Sequence, residues 1–144
     1  ETFRILDRFV AGGGTMIDTA DVYSAWAPGH EGGESERLIG RWLKRDPAKR
    51  DKVVIATKVG FFEGLAPDKV LAACEASLER LGVERIDLYY QHKDDESVPL
   101  ADSLGAAGFS VLGQGPAGNQ VTLDGMTFAG ADAAGAWLDA GRAG

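Results

Sequence analysis

From Thr2 to His92 the apolar positions switch repeatedly between helical spacing and the continuous run of a buried strand. Residues 2–11 (TFRILDRFVA) set Phe3, Leu6, Phe9 and Val10 on one side and charge on the other, which predicts an amphipathic helix. Gly12-Gly13-Gly14 ends it, as glycine does at helix C-termini. Residues 15–20 (TMIDTA) read as a short buried strand, and a glycine-rich loop fills 24–33. Residues 34–44 place Leu38, Ile39, Trp42 and Leu43 on one helix face, with Asp46-Pro47 as the stop. Residues 52–58 (KVVIATK) are a β-branched run fit for a strand covered on both faces. Pro67 opens the next helix, lined by Val70, Leu71, Cys74, Leu78 and Leu81 and closed by Gly82. Residues 85–92 (RIDLYYQH) predict a third strand.

Helices and strands that alternate in this way imply right-handed βαβ units and a parallel sheet. An open doubly wound sheet and a (β/α)8 barrel compete for the pattern. The open sheet usually announces itself by GxGxxG or a P-loop after an early strand. Neither motif follows an early strand, and Gly12-Gly13-Gly14 precedes a strand, the wrong side for a phosphate cradle.

Composition changes the picture near residue 102. Residues 1–102 hold 14 Lys/Arg and 19 Asp/Glu; residues 103–144 hold one Arg and three Asp, with 10 of the 20 glycines and 10 alanines. A shift of that kind marks a boundary, and we expect one unit over 1–107 and a Gly/Ala-rich segment over 108–144. In that segment, residues 109–112 and 120–123 alternate as short strands do, and Asp124-Gly125 predicts a hairpin turn. A weak helix is expected over 131–140. The net charge of −7 argues against nucleic acid as a partner. No apolar run reaches the about 18–20 residues that span a bilayer, and no secretory signal precedes the first helix. The single cysteine, Cys74, excludes an intramolecular disulfide and a Cys-based zinc site. The two histidines, His30 and His92, lack ligand spacing. A cytoplasmic location is the expectation from these features.

The three predicted strands stop at or near ionisable residues. Asp18 lies at the end of the first, with Tyr23 five residues on; Lys58 ends the second and His92 the third. In a parallel barrel these ends open onto the face that carries the active site. A partly buried lysine needs a carboxylate partner, which Asp18 supplies. Its ammonium stabilises a neighbouring phenolate and so makes Tyr23 a usable proton donor. The imidazole of His92 orients a substrate oxygen by hydrogen bonding. The set suits protonation of a carbonyl oxygen while hydride reaches the carbon.

Asp18-Thr19-Ala20-x-x-Tyr23, Ala56-Thr57-Lys58 and Asp87-Leu88-Tyr89-Tyr90-Gln91-His92 resemble the motifs of the aldo-keto reductases, over roughly residues 1–107. That resemblance implies a catalytic tetrad of Asp18, Tyr23, Lys58 and His92. It also implies a (β/α)8 TIM barrel, a small-molecule carbonyl substrate, and NADPH bound without a Rossmann motif. The loop with Trp26, Pro28 and His30 resembles the substrate-facing loop of the bacterial, monomeric-type branch, which makes Trp26 a substrate-contact candidate. The chain matches strands 2–4 of the family barrel, so the expected architecture is α/β, a partial barrel of about three βα units. The first strand is expected before Glu1, and the family's second half, which supplies most of the cofactor site, has no counterpart in 108–144. A complete barrel takes about 250 residues. Residues 108–130 weakly resemble the plug region of TonB-dependent outer-membrane receptors, on the segment NQVTLDG.

Three readings follow. The first is NADPH-dependent reduction of aldehydes or ketones, impaired in so short a chain. The second is a non-catalytic chimeric fragment, joined near residues 105–110, that self-associates through open sheet edges. The third is a Schiff-base lyase built on Lys58.

Overall fold

The computed structural model describes residues 1–99, 102–103, 120–123 and 126–129. Helix α1 spans Thr2–Ala11, strand β1 Met16–Asp18, helix α2 Glu34–Lys44, strand β2 Val54–Val59, helix α3 Pro67–Leu81 and strand β3 Leu88–Gln91. The three strands form a parallel sheet in the order β1-β2-β3. Met16, Ile17 and Asp18 lie beside Val54, Ile55 and Ala56, and Ala56 to Val59 lie beside Leu88 to Gln91. The expected helix–strand alternation is therefore present, as a partial α/β barrel of three parallel strands that does not close.

Helix boundaries follow their sequence signals. Gly12 ends α1 while keeping φ at −81°, so this helix stops without a left-handed turn. Gly82 ends α3 in the left-handed conformation (φ 62°), where a residue with a Cβ would be strained. The strands depart more. The run expected from Lys52 starts two residues later, because Asp46 caps a 3-10 turn over Pro47–Lys52, its carboxylate accepting the Ala48 N–H at 3.2 Å. The first and third strands are shorter than the stretches 15–20 and 85–92.

The core lies between the sheet and the helices. Ile17 and Ile55 from the sheet meet Ile39, Trp42 and Leu43 from α2 and Cys74 and Leu81 from α3. Burying side chains the size of Trp42, Ile55 and Leu81 contributes roughly 1.5–3 kcal/mol each. Trp42 is fully enclosed, and its indole N–H donates to Asp7 Oδ1 at 2.8 Å, fastening α1 to α2. Cys74 is a packing residue: burial pushes its thiol up to about 11. Alternation along the strands turns Met16, Val54 and Leu88 to the opposite face, where each is about two-fifths exposed.

Beyond the sheet, Asp102 and Ser103 N–H both donate to the Pro99 carbonyl, starting a helical turn. Strands β4 (Gln120–Leu123) and β5 (Met126–Ala129) pair antiparallel, with Leu123 opposite Met126; the turn expected at Asp124-Gly125 lies outside the described residues. The strand expected at 109–112 and the helix at 131–140 lie outside the described residues. Among the described residues no helix is long and apolar enough to cross a membrane.

Candidate active site

Parallel pairing brings the ends of the three strands to one face. His92 extends the ladder one residue past β3, its N–H donating to the Val59 carbonyl at 2.8 Å. After β1 the chain keeps following β2: Thr19 N–H donates to Ala56 O at 2.9 Å and Asp21 N–H to Lys58 O at 3.3 Å. The turn closed by Tyr23 N–H to Ala20 O (3.3 Å) swings the phenol back over the end of β2. Ser24, next to Tyr23, adopts φ 79°, the only positive φ of a non-glycine among the described residues. Such conformations cost about 1–3 kcal/mol and cluster at functional sites.

Lys58 is the hub. Its three ammonium protons meet three acceptors: Asp18 Oδ2 at 2.6 Å, the Thr19 carbonyl at 2.8 Å and the Tyr23 hydroxyl at 2.9 Å. Burial strips the ammonium of hydration and pulls its pKa down. Hydrogen bonds and charge from Asp18 and Tyr23 outweigh that, and Lys58 sits above its ordinary value. Next to Tyr23, the His92 ring stands in a T-shaped arrangement at 5.9 Å between centroids. Its Nδ1 is buried and meets no partner among the described residues. The structure thus places Asp18, Tyr23, Lys58 and His92 together at one end of the sheet. Trp26 is 75% exposed and meets the Tyr23 ring at 6.1 Å.

Sequence reasoning passed over several residues here. Phe61 lies 4.9 Å from the His92 ring and Phe62 4.9 Å from Phe61, the latter 70% exposed. Two phenylalanines directly after a strand, where turn residues are usual, were a readable signal. Beneath the site, Glu36 is fully enclosed: its Oε1 accepts the Thr57 hydroxyl at 2.6 Å and its Oε2 the Arg80 Nε–H at 2.6 Å. Glu36, Ile39 and Leu43 share one helical stripe, so its burial was also legible. Asp21 Oδ1 and the Tyr89 hydroxyl are buried without partners among the described residues. Burial, reinforced by Glu36, raises the pKa of Asp21, and burial raises that of Tyr89.

The parallel strands, the cluster at their C-terminal ends and the helical layer behind them define a piece of a (β/α)8 barrel with its chemistry at the usual face. The sequence matches the aldo/keto reductase family model over residues 1–117, and the chain belongs to that family. It is 44% identical over 109 residues to an aldo-keto reductase of Strobilurus tenacellus, covering 74% of this chain and 30% of the relative. With a probable aldo-keto reductase of Glycine max it shares 45% identity over 100 residues, 63% of this chain and 26% of the relative. An aldo/keto reductase from Klebsiella pneumoniae, crystallised with NADP and acetate, superposes with a TM-score of 0.59 at 28% identity. That match covers 71% of this chain and 32% of the bacterial one. The chain therefore spans 26–32% of the length of these three proteins.

Proposed function

We propose that this chain carries the proton-donating half of an NADPH-dependent carbonyl reductase. The observation behind the reading is the three-way hydrogen bonding of Lys58 to Asp18, Thr19 and Tyr23, with His92 against the phenol. Tyr23 gives its hydroxyl proton to the carbonyl oxygen of an aldehyde or ketone as that oxygen gains the electron pair of the broken π bond. Lys58 stabilises the phenolate left behind, and solvent then returns the proton. Asp18 holds Lys58 in place. His92 hydrogen-bonds the carbonyl oxygen and sets its angle to Tyr23. Trp26 flanks the substrate. When bound, a reduced nicotinamide supplies the hydride that the carbonyl carbon receives.

The residues present fit one end of that cofactor. The donor set beside Tyr23 suits a reacting nicotinamide and carbonyl. A pyrophosphate and a 2′-phosphate need cations at the same face. Among the described residues that face offers Lys58, whose protons are all taken, Lys69, whose Nζ donates to the Glu63 carbonyl, and Lys93, which lies over the Phe61 ring at 5.1 Å. Arg37, Arg41, Lys44 and Arg50 line a groove between α2 and α3, behind the sheet. Little or no turnover by the chain alone is therefore part of the proposal. So are a cytoplasmic setting, a change of unit near residue 107 and self-association through the edges of β1 and β3, which pair with no further strand among the described residues. The Schiff-base alternative is disfavoured, because Lys58 is held as an ammonium with no free lone pair.

Replacing the matched segment of a full-length aldo/keto reductase by residues 1–107 tests the reading. This chimeric barrel is expected to oxidise NADPH with an aldehyde and to lose that activity in Tyr23→Phe. Full activity in the Tyr23→Phe chimera would remove Tyr23 from its role. Steady NADPH oxidation by the unspliced chain would overturn the claim of impairment alone.

A further inference from the structure

Asp95 divides its carboxylate between two loops of the site. Its Oδ1 accepts the Ser97 N–H at 3.1 Å and the Ser97 hydroxyl, closing a turn in its own loop. Its Oδ2 reaches across to accept the Leu65 N–H at 2.9 Å, in the loop between β2 and α3. That second loop leaves β2 through Gly60 (φ 89°) and returns through Gly64 (φ 79°). Leu65 then plugs into a small core with Val59 and Val70, and Lys69 Nζ holds the Glu63 carbonyl at 2.7 Å. Between these ties the loop carries Phe61, whose ring meets His92 at 4.9 Å.

Asp95 itself lies three residues past His92 in the sequence. One carboxylate thus fastens the strand end that bears His92 to the loop that bears the aromatic wall. Glycine at 64 is part of the fit: a Cβ there would come within 2.8 Å of Asp95 Oδ2. The Ser97 hydroxyl, the Leu65 amide and the Ser97 amide together hold the Asp95 carboxyl below the ordinary carboxylate range, so the acceptor stays ionised.

We propose that Asp95 is a positioning residue that clamps Phe61 against His92 and so fixes the tilt of the imidazole. Its catalytic meaning rests on the reading of His92 as the group that meets the carbonyl oxygen. The clamp itself needs neither cofactor nor turnover to be measured. With two histidines in the chain, a His30→Gln variant assigns the His92 ring protons in an NMR spectrum. In the full chain these protons are expected to be displaced by the ring current of Phe61, on top of the share contributed by Tyr23. Asp95→Asn keeps an oxygen for the Ser97 turn but offers Leu65 an NH2 group instead of an acceptor. It is expected to lose the Phe61 share of the displacement. Phe61→Leu is expected to lose it too, with no further change when the two substitutions are combined. Ser97→Ala is expected to leave it in place.

An unchanged His92 spectrum in a folded Asp95→Asn chain would overturn the proposal, as would an equal loss in Ser97→Ala. If Asp95→Asn does not fold, amide exchange in the native chain decides. The Leu65 N–H should exchange at least about tenfold more slowly than that of exposed Phe62, and exchange at an unprotected rate removes the clamp. Failed hydride transfer in the chimeric barrel beside the expected His92 shifts would sink the reductase reading and leave the clamp standing.

Discussion

The same three strands end in an ion-paired cluster at each pole, and the clusters are built on opposite terms. At the N-terminal pole, Asp87 Oδ2 accepts the Ile55 N–H at 2.8 Å and meets Arg50 at 2.7 Å, while Oδ1 meets Arg85 at 2.7 Å. Arg50 also donates to the carbonyls of Val53 and Arg85. At the C-terminal pole, the Asp18–Lys58 contact is just as short at 2.6 Å, yet Asp18 is half exposed and His92 Nδ1 has no partner among the described residues. Large aromatics stand in solvent beside it. Ion-pair distance does not separate the two. What separates them is the polar and apolar capacity left over, together with the pole at which it lies: in barrels the C-terminal end carries chemistry and the N-terminal end stability.

The sharpest break between the poles is in rate. In the chimeric barrel, Tyr23→Phe removes the proposed proton donor and is expected to lower kcat by about 10²–10⁴-fold. Asp87→Asn in the same background should leave kcat within about twofold once the protein is folded, since Asp87 bonds at the opposite end of the strands. Steady-state kinetics at matched folded fractions checks both. An equal fall in the two variants would erase the division into a chemical and a structural pole.

Much of this division was legible in sequence, and the limit was physical. Asp18, Lys58 and His92 could be read because each lies at a strand end, and parallel pairing carries strand ends to one face whatever the loops do. Tyr23 followed from its spacing to Asp18. Glu36 was missed because an acidic residue in a first helical turn usually serves the helix dipole. Its true partners, Thr57 and Arg80, lie 21 and 44 residues away. The Asp95–Leu65 bond spans 30 residues between two loops, and no local period encodes it. The 3-10 turn at 47–52 displaced a strand start because an Asp-Pro cap overrode the β-branched pattern.

Glu36 ties α2 and α3 to β2 at Thr57, next to Lys58. Glu36→Ala takes the acceptor from the Thr57 hydroxyl and leaves the Arg80 guanidinium, among the described residues, with Ser77 Oγ alone. Removing one member of a buried pair costs about 3–5 kcal/mol, and partial exposure of Arg80 places this one near 3 kcal/mol. A small domain has only about 5–15 kcal/mol to lose. Urea denaturation of the chain measures it, and a loss under about 1 kcal/mol would mean that the pair behaves as a surface contact. Asp87→Asn should be milder, at about 1.5–3 kcal/mol, because an amide oxygen still accepts the Ile55 N–H while the charge facing two guanidiniums is gone.

The smallest effect separates the poles by sign. Burial alone would push the Asp87 carboxyl up, but Arg50, the Ile55 amide and Arg85 hold it below its ordinary value. Asp87 therefore contributes stability above the unfolded carboxylate value of about 3.9, and loses it as pH falls through the lower folded value. Lys58 is held above its ordinary value. Its contribution is complete below the unfolded lysine value of about 10.4 and is lost as pH rises through the folded one. Asp7, Glu34 and Asp95 are also held low, so the acid limb of the wild type belongs to several groups, and only differences between variants isolate one. Urea midpoints taken across pH should show the gap between wild type and Asp87→Asn narrowing toward acid. The gap between wild type and Lys58→Met should instead narrow toward alkali. Two gaps that close on the same side would show that the clusters respond to pH as one network, and the contrast between the poles would then rest on kinetics alone.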